Sequence, residues 1–92
     1  MREYGINTLG DGAQIFEPVT LGFPSRERIG TTGYTGTVIG RNAVIRSGSV
    51  IYCDVTIGDQ FSCGHNVVIR EQTQIGNGVS VGTASVIEGR TL

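Results

Sequence analysis

From Ile39 the chain reads, in sixes, IGRNAV (39–44), IRSGSV (45–50), IYCDVT (51–56), IGDQFS (57–62), CGHNVV (63–68), IREQTQ (69–74), IGNGVS (75–80), VGTASV (81–86) and IEGRTL (87–92). The first position is Ile39, Ile45, Ile51, Ile57, Cys63, Ile69, Ile75, Val81 and Ile87, and only Cys63 is not a β-branched aliphatic. The fifth position is Ala43, Ser49, Val55, Phe61, Val67, Thr73, Val79, Ser85 and Thr91, small or β-branched in all but Phe61. Glycine follows the first position at Gly40, Gly58, Gly64, Gly76 and Gly82. A period of six is neither the 3.6 of an amphipathic helix nor the heptad of a coiled coil, and the polar third and fourth positions break a strand's period of two. A short strand followed by a sharp corner satisfies the pattern. Three such units close a triangular coil of 18 residues, and coils stack through parallel strands about 4.7–4.9 Å apart. The first position then points inward beside the smaller fifth. Asn42, Asp59, Asn66, Asn77 and Gly78 fall at the corners, where glycine, Asn and Asp tolerate left-handed backbone.

The phase extends upstream. Leu9, Ile15 and Leu21 are six apart, with Ala13 and Val19 at the fifth position, so residues 9–21 read as a first coil. Residues 22–37 interrupt the hexads with Pro24, Arg26, Arg28, Tyr34 and Gly30, Gly33 and Gly36, and read as a loop extruded from a corner. Residues 38–92 supply about three further coils. Coil arithmetic places His65 in register with Ser47 and Thr83, Cys63 between Ile45 and Val81, and Arg70 between Tyr52 and Glu88.

The bulk numbers agree with a single all-β domain. The chain has 92 residues and 15 glycines, 38% of it is hydrophobic, and only 16% is charged. That glycine share, about twice average usage, indicates many tight turns. A domain this short buries a modest share of its surface, which favours association. Net charge is −1 with seven arginines and no lysine, which is not a nucleic-acid footprint. Cys53 and Cys63 lack the spacing of a zinc or disulfide motif. No apolar run suggests a leader or a membrane helix, so a cytoplasmic location is expected.

The hexads resemble the [LIV]-G-x-x-[STAV]-x signature of hexapeptide-repeat transferases, over roughly residues 9–92. Cys63-Gly64-His65-Asn66-Val67-Val68-Ile69-Arg70-Glu71 is similar to the segment around the catalytic histidine of UDP-3-O-acylglucosamine N-acyltransferases and nucleotide-sugar acetyltransferases. The resemblance implies a left-handed parallel β-helix, a homotrimer, and a site between subunits where an acyl-CoA donor meets a nucleotide-sugar acceptor. Acetyl-CoA or another acyl-CoA would serve, and no metal is implied. His65 would be the general base, since imidazole exchanges protons near neutral pH. The backbone at Thr83, beside Gly82, would supply an oxyanion donor, although the family often has glycine where Thr83 stands. Asn66, Arg26, Arg28 and Tyr34 are candidate substrate contacts, and for each a plain structural role as turn residue, surface charge or loop packing stays open.

The family usually continues with further coils that hold coenzyme A. The chain is therefore read as a fragment, a minimal variant, or one whose donor site a partner completes. An uncapped last coil would expose strand edges, and end-to-end association is a second expectation. The competing reading is a noncatalytic β-helix module for structure or assembly. A γ-class carbonic anhydrase needs three histidines and the chain has one. An ice-binding face needs repeated Thr-x-Thr columns, and only Thr35-Gly36-Thr37 has that form.

Overall fold

β-branched residues at every sixth position favour short extended segments, and the glycine, Asn and Gln residues between them favour sharp corners. The computed structural model describes residues 1–91 and shows this alternation on both sides of the 24–34 segment. The strands form three parallel sheets. One stacks β1 (Arg2–Glu3), β4 (Thr20–Phe23), β7 (Val50–Tyr52), β10 (Val68–Ile69) and β13 (Val86–Ile87). The second stacks β2 (Ile6–Leu9), β5 (Thr35–Ile39), β8 (Val55–Ile57), β11 (Thr73–Ile75) and β14 (Arg90–Thr91). The third stacks β3 (Gln14–Ile15), β6 (Val44–Ile45), β9 (Ser62–Cys63) and β12 (Ser80–Val81). The chain visits the three sheets in rotation, the arrangement of a parallel β-helix.

Register follows the hexad columns. Ile39 pairs with Ile57 and Ile57 with Ile75; Ile45 pairs with Cys63 and Cys63 with Val81; Ile51 pairs with Ile69 and Ile69 with Ile87. The inward columns form one apolar core in which Leu21, Ile45, Ile51, Val55, Phe61, Val67 and Ile69 are fully buried. Phe61, the largest fifth-position residue, is inside with the rest. The hydroxyls of buried Ser49 and Thr73 are partnered: Ser49 Oγ donates to Gly64 O at 3.2 Å and accepts from Val67 N, and Thr73 Oγ1 donates to Arg70 O at 2.8 Å.

The corners divide the polar residues into two kinds. Fourth-position residues take left-handed backbone: Asn42, Gly48, Asp54, Gln60, Asn66, Gln72, Gly78 and Ala84 all have positive φ. Asp59 and Asn77, one position earlier, do not; their side chains accept amide hydrogens from the layer before. Arg41 N donates to Asp59 Oδ1 at 2.8 Å and Asp59 N to Asn77 Oδ1 at 2.7 Å. The last described corner is shorter. Gly89, a third-position residue, takes the positive φ of 76°, so Thr73 pairs with Arg90 instead of Thr91. Residue 92, in the expected 38–92 coils, lies outside the described residues.

Two features extend the upstream expectations. β1 and β2 show that residues before Leu9 already belong to the sheets, and β1 pairs with β4 through Arg2 and Thr20. The expected loop 22–37 overlaps β4 and β5, so only 24–34 lies between strands. Strand geometry reaches further because Thr37 and Gly22 are tied together: Gly22 N donates to Thr37 Oγ1 at 3.0 Å, and that hydroxyl donates to Tyr52 O. Residues Arg26–Arg28 form a short 3-10 turn.

Candidate functional site

His65 sits on the corner after β9 and is exposed. Its position is fixed by its neighbours in the column. The His65 amide donates to Thr83 Oγ1 at 3.2 Å, and the His65 carbonyl accepts from Ala84 N at 2.8 Å. Nδ1 lies 2.9 Å from Ser47 Oγ. The expected register of Ser47, His65 and Thr83 is therefore present as side-chain and backbone contact. Nε2 has no protein partner among the described residues.

Glycine at 64 makes the approach of the next layer feasible: a Cβ there would come within 2.6 Å of Thr83 N. Gly82 is exposed and open, its nearest neighbour to an added Cβ being Ser85 Oγ at 3.9 Å. The Thr83 amide donates to no acceptor among the described residues. Asn66 follows His65 at the left-handed corner with φ 54° and is exposed; its amide donates to Ser47 O at 3.0 Å, and its side-chain oxygen lies over Gly48.

The charge beside this corner is cationic. Arg46, exposed and adjacent in sequence to Ser47, donates through Nη1 to Cys63 O at 3.1 Å and to Ser62 Oγ at 3.3 Å. No carboxylate bonds His65 among the described residues. Glu71 is taken instead by Arg70 Nε at 3.0 Å, which keeps the Arg70 guanidinium charged: the Glu71 hydrogen bond, then its charge, raise its pKa.

The 24–34 segment divides its candidates. Arg26 is exposed. Arg28 is partly spent on Asp54, 3.4 Å away, and lies 6.0 Å from the Tyr34 ring centroid. Tyr34 is 8% exposed, and its hydroxyl donates to Gly22 O at 3.1 Å, so the structure makes it a packing residue at the loop base. Burial above all, then the neighbouring Cys53 and Tyr4, push its phenol pKa up, and Arg28 opposes them. These residues are not brought to the His65 corner by any hydrogen bond among the described residues.

An open cavity lies elsewhere among the described residues. It is an open bowl of about 180 Å³ lined by Arg70, Glu71, Gln72, Glu88 and Gly89. His65 lies outside that lining, on an exposed corner. No group of His, Cys, Asp and Glu suits a metal ion among the described residues, and no helix there is long and apolar enough to cross a membrane.

Residue-by-residue reading of the sequence did not assign Ser47 or Arg46 a role. The signal for Ser47 was present, because the hexad column puts it directly before His65. Arg46 carried none, since a second-position side chain can turn either way. No family model matches this chain, and neither a curated protein nor a solved structure matches it.

Proposed function

We propose that the chain is a left-handed β-helix with 18 residues per coil that carries a coenzyme A-dependent acyl transfer, with acetyl-CoA or another acyl-CoA as donor and an amino or hydroxyl group of a nucleotide-linked sugar as acceptor. One observation carries it: an exposed imidazole whose backbone is tied to Thr83 and Ala84, with Nδ1 2.9 Å from Ser47 Oγ. When Nδ1 bears the ring proton and donates to Ser47, Nε2 is bare and takes the proton of the attacking acceptor. The thioester is already activated, so removing that proton is the main demand on the protein. The Thr83 amide, beside Gly82, is the donor for the oxyanion in this reading. Arg26 and Arg46 are the cations available to acceptor or donor phosphates.

The site is shared between subunits in this reading. The outward residues Val50, Val68 and Val86 pair in one row along the first sheet, and Val86 is 56% exposed. That apolar row is the trimer face. Two unpaired cysteines, Cys53 and Cys63, suit a reducing, cytoplasmic setting.

A second reading is a noncatalytic β-helix module. It is favoured by the position of the cavity away from His65 and by the lack of a carboxylate partner for the ring among the described residues. His65→Ala separates the two. Loss of a general base costs about 10²–10⁴-fold in turnover, with the melting temperature nearly unchanged because the ring is exposed. Near-normal turnover at saturating acceptor would remove His65 from the chemistry. Wild-type protein that never releases thiol from acyl-CoA would favour the module.

A further inference from the structure

We propose that Ser47 and His65 form a nucleophile–base dyad, and that acyl transfer passes through an ester on Ser47 Oγ. This rests on the reading of His65 as the base, but makes Ser47 the first group it deprotonates.

The warrant is the second ring tautomer. With the proton on Nε2, Nδ1 is an acceptor, and the Ser47 hydroxyl 2.9 Å away is its donor. A hydroxyl within 2.6–3.2 Å of an imidazole nitrogen is the arrangement that activates a serine. Ser47 is partly exposed and His65 is exposed, and an acyl ester can therefore reach both. The backbones that carry the pair are held in place: the Ser47 carbonyl accepts from Asn66 N at 3.0 Å, while His65 is tied to Thr83 and Ala84. The Ser47 amide donates to no acceptor among the described residues, so it is free for the oxyanion that forms on its own side chain's target. Arg46, held by Cys63 O two residues before His65, puts a fixed positive charge beside the pair. A serine present only to orient the ring needs neither a free amide nor an adjacent tethered cation.

The steps balance. Ser47 Oγ attacks the thioester carbonyl and gives its proton to His65 Nδ1; the carbon–sulfur bond breaks, and the leaving thiolate takes that proton. The acceptor amine or hydroxyl then attacks the Ser47 ester and loses a proton to His65. Ser47 Oγ departs and is reprotonated. The ligand class is an activated acyl ester or thioester.

The test uses the whole chain with two probes. Diisopropyl fluorophosphate should place one phosphoryl group on Ser47 with loss of fluoride, and p-nitrophenyl acetate should place an acetyl group there with release of p-nitrophenolate. Peptide mass mapping reads the site. Labelling should vanish in Ser47→Ala and slow at least about 10²-fold in His65→Gln. Labelling that misses Ser47, or proceeds equally fast in His65→Gln, overturns the dyad. The acyltransferase reading is tested separately, by thiol release from acetyl-CoA. If Ser47→Ala keeps full turnover while His65→Gln loses it, transfer is direct and the dyad fails alone. If Ser47 is labelled in a His65-dependent way but acetyl-CoA is not consumed, the dyad stands and the coenzyme A reading fails.

Discussion

Ala84 holds left-handed backbone at φ 65° without a polar side chain to compensate, unlike Asn42, Asp54 and Asn66 at equivalent corners. A Cβ in that region costs roughly 1–2 kcal/mol, while glycine adds roughly 0.5–1 kcal/mol of unfolded-state entropy. Ala84→Gly should therefore stabilise the chain by about 0.5–1 kcal/mol, read as a higher denaturation midpoint with an unchanged slope. A lower midpoint would mean the corner is not left-handed. Tyr34 makes a second residue-scale case. Its hydroxyl is the partner of the buried Gly22 carbonyl, so Tyr34→Phe should cost about 1–3 kcal/mol. The phenol pKa is raised above its ordinary 10.0 in the folded state. Its stability contribution is complete below the unfolded value and is lost as pH rises through the folded one. Wild-type stability should decline above about pH 10 more steeply than that of Tyr34→Phe. Parallel decline of the two in denaturant titrations would place Tyr34 in water.

Strands of two to five residues are held by their columns more than by their own length. Ile57 lies between Ile39 and Ile75 and is 2% exposed. Ile57→Val should cost roughly 0.5–1.5 kcal/mol, and Ile57→Asp should prevent folding by burying an unpaired carboxylate. A cooperative, near-normal melt of Ile57→Asp would refute the register. Replacing 26–33 with a short turn should leave the fold intact and reduce acceptor affinity, provided Tyr34 and Ser25 stay. Ser25 N is bonded to Cys53 Sγ at 3.3 Å, and Tyr34 caps Gly22. Unfolding of that variant would make the segment structural.

The columns were legible because a β-branched aliphatic stands at every first position from Ile39 except Cys63. The left-handed positions were only half legible. Asn and Asp suit both the fourth position and the amide-capping third, so Asp59 and Asn77 could not be told from Asn42 and Asn66 by type. For Tyr34, ligand contact and loop packing both stayed open, because a loop tyrosine gives no sign of direction. The shortened corner at Gly89 was hidden by a hexad that keeps its letter count while its geometry slips by one. At the site, the column exposed the Ser47–His65 register, whereas the hydroxyl-to-ring bond depends on rotamers that no spacing encodes.

The whole molecule measures 31 × 23 × 21 Å with a radius of gyration of 11.6 Å, close to the roughly 12 Å expected for this length. Its sheet pairings join residues far apart in sequence, so folding should run in milliseconds to seconds. The valine row gives the assembly prediction. Val68→Lys should turn the proposed trimer into monomers in light scattering at micromolar concentration while keeping the β-sheet spectrum. Wild-type protein that scatters only as monomer would refute the trimer.

Stacking brings residues from different layers to one corner, Ser47 onto His65 above all. The chain has a single histidine, so a ¹⁵N spectrum of the imidazole ring reports that contact with no ligand present. The predicted result is an Nδ1 resonance that moves on Ser47→Ala, with a changed tautomer balance, in a protein that still melts cooperatively. A ring spectrum identical in wild type and Ser47→Ala would contradict the claim.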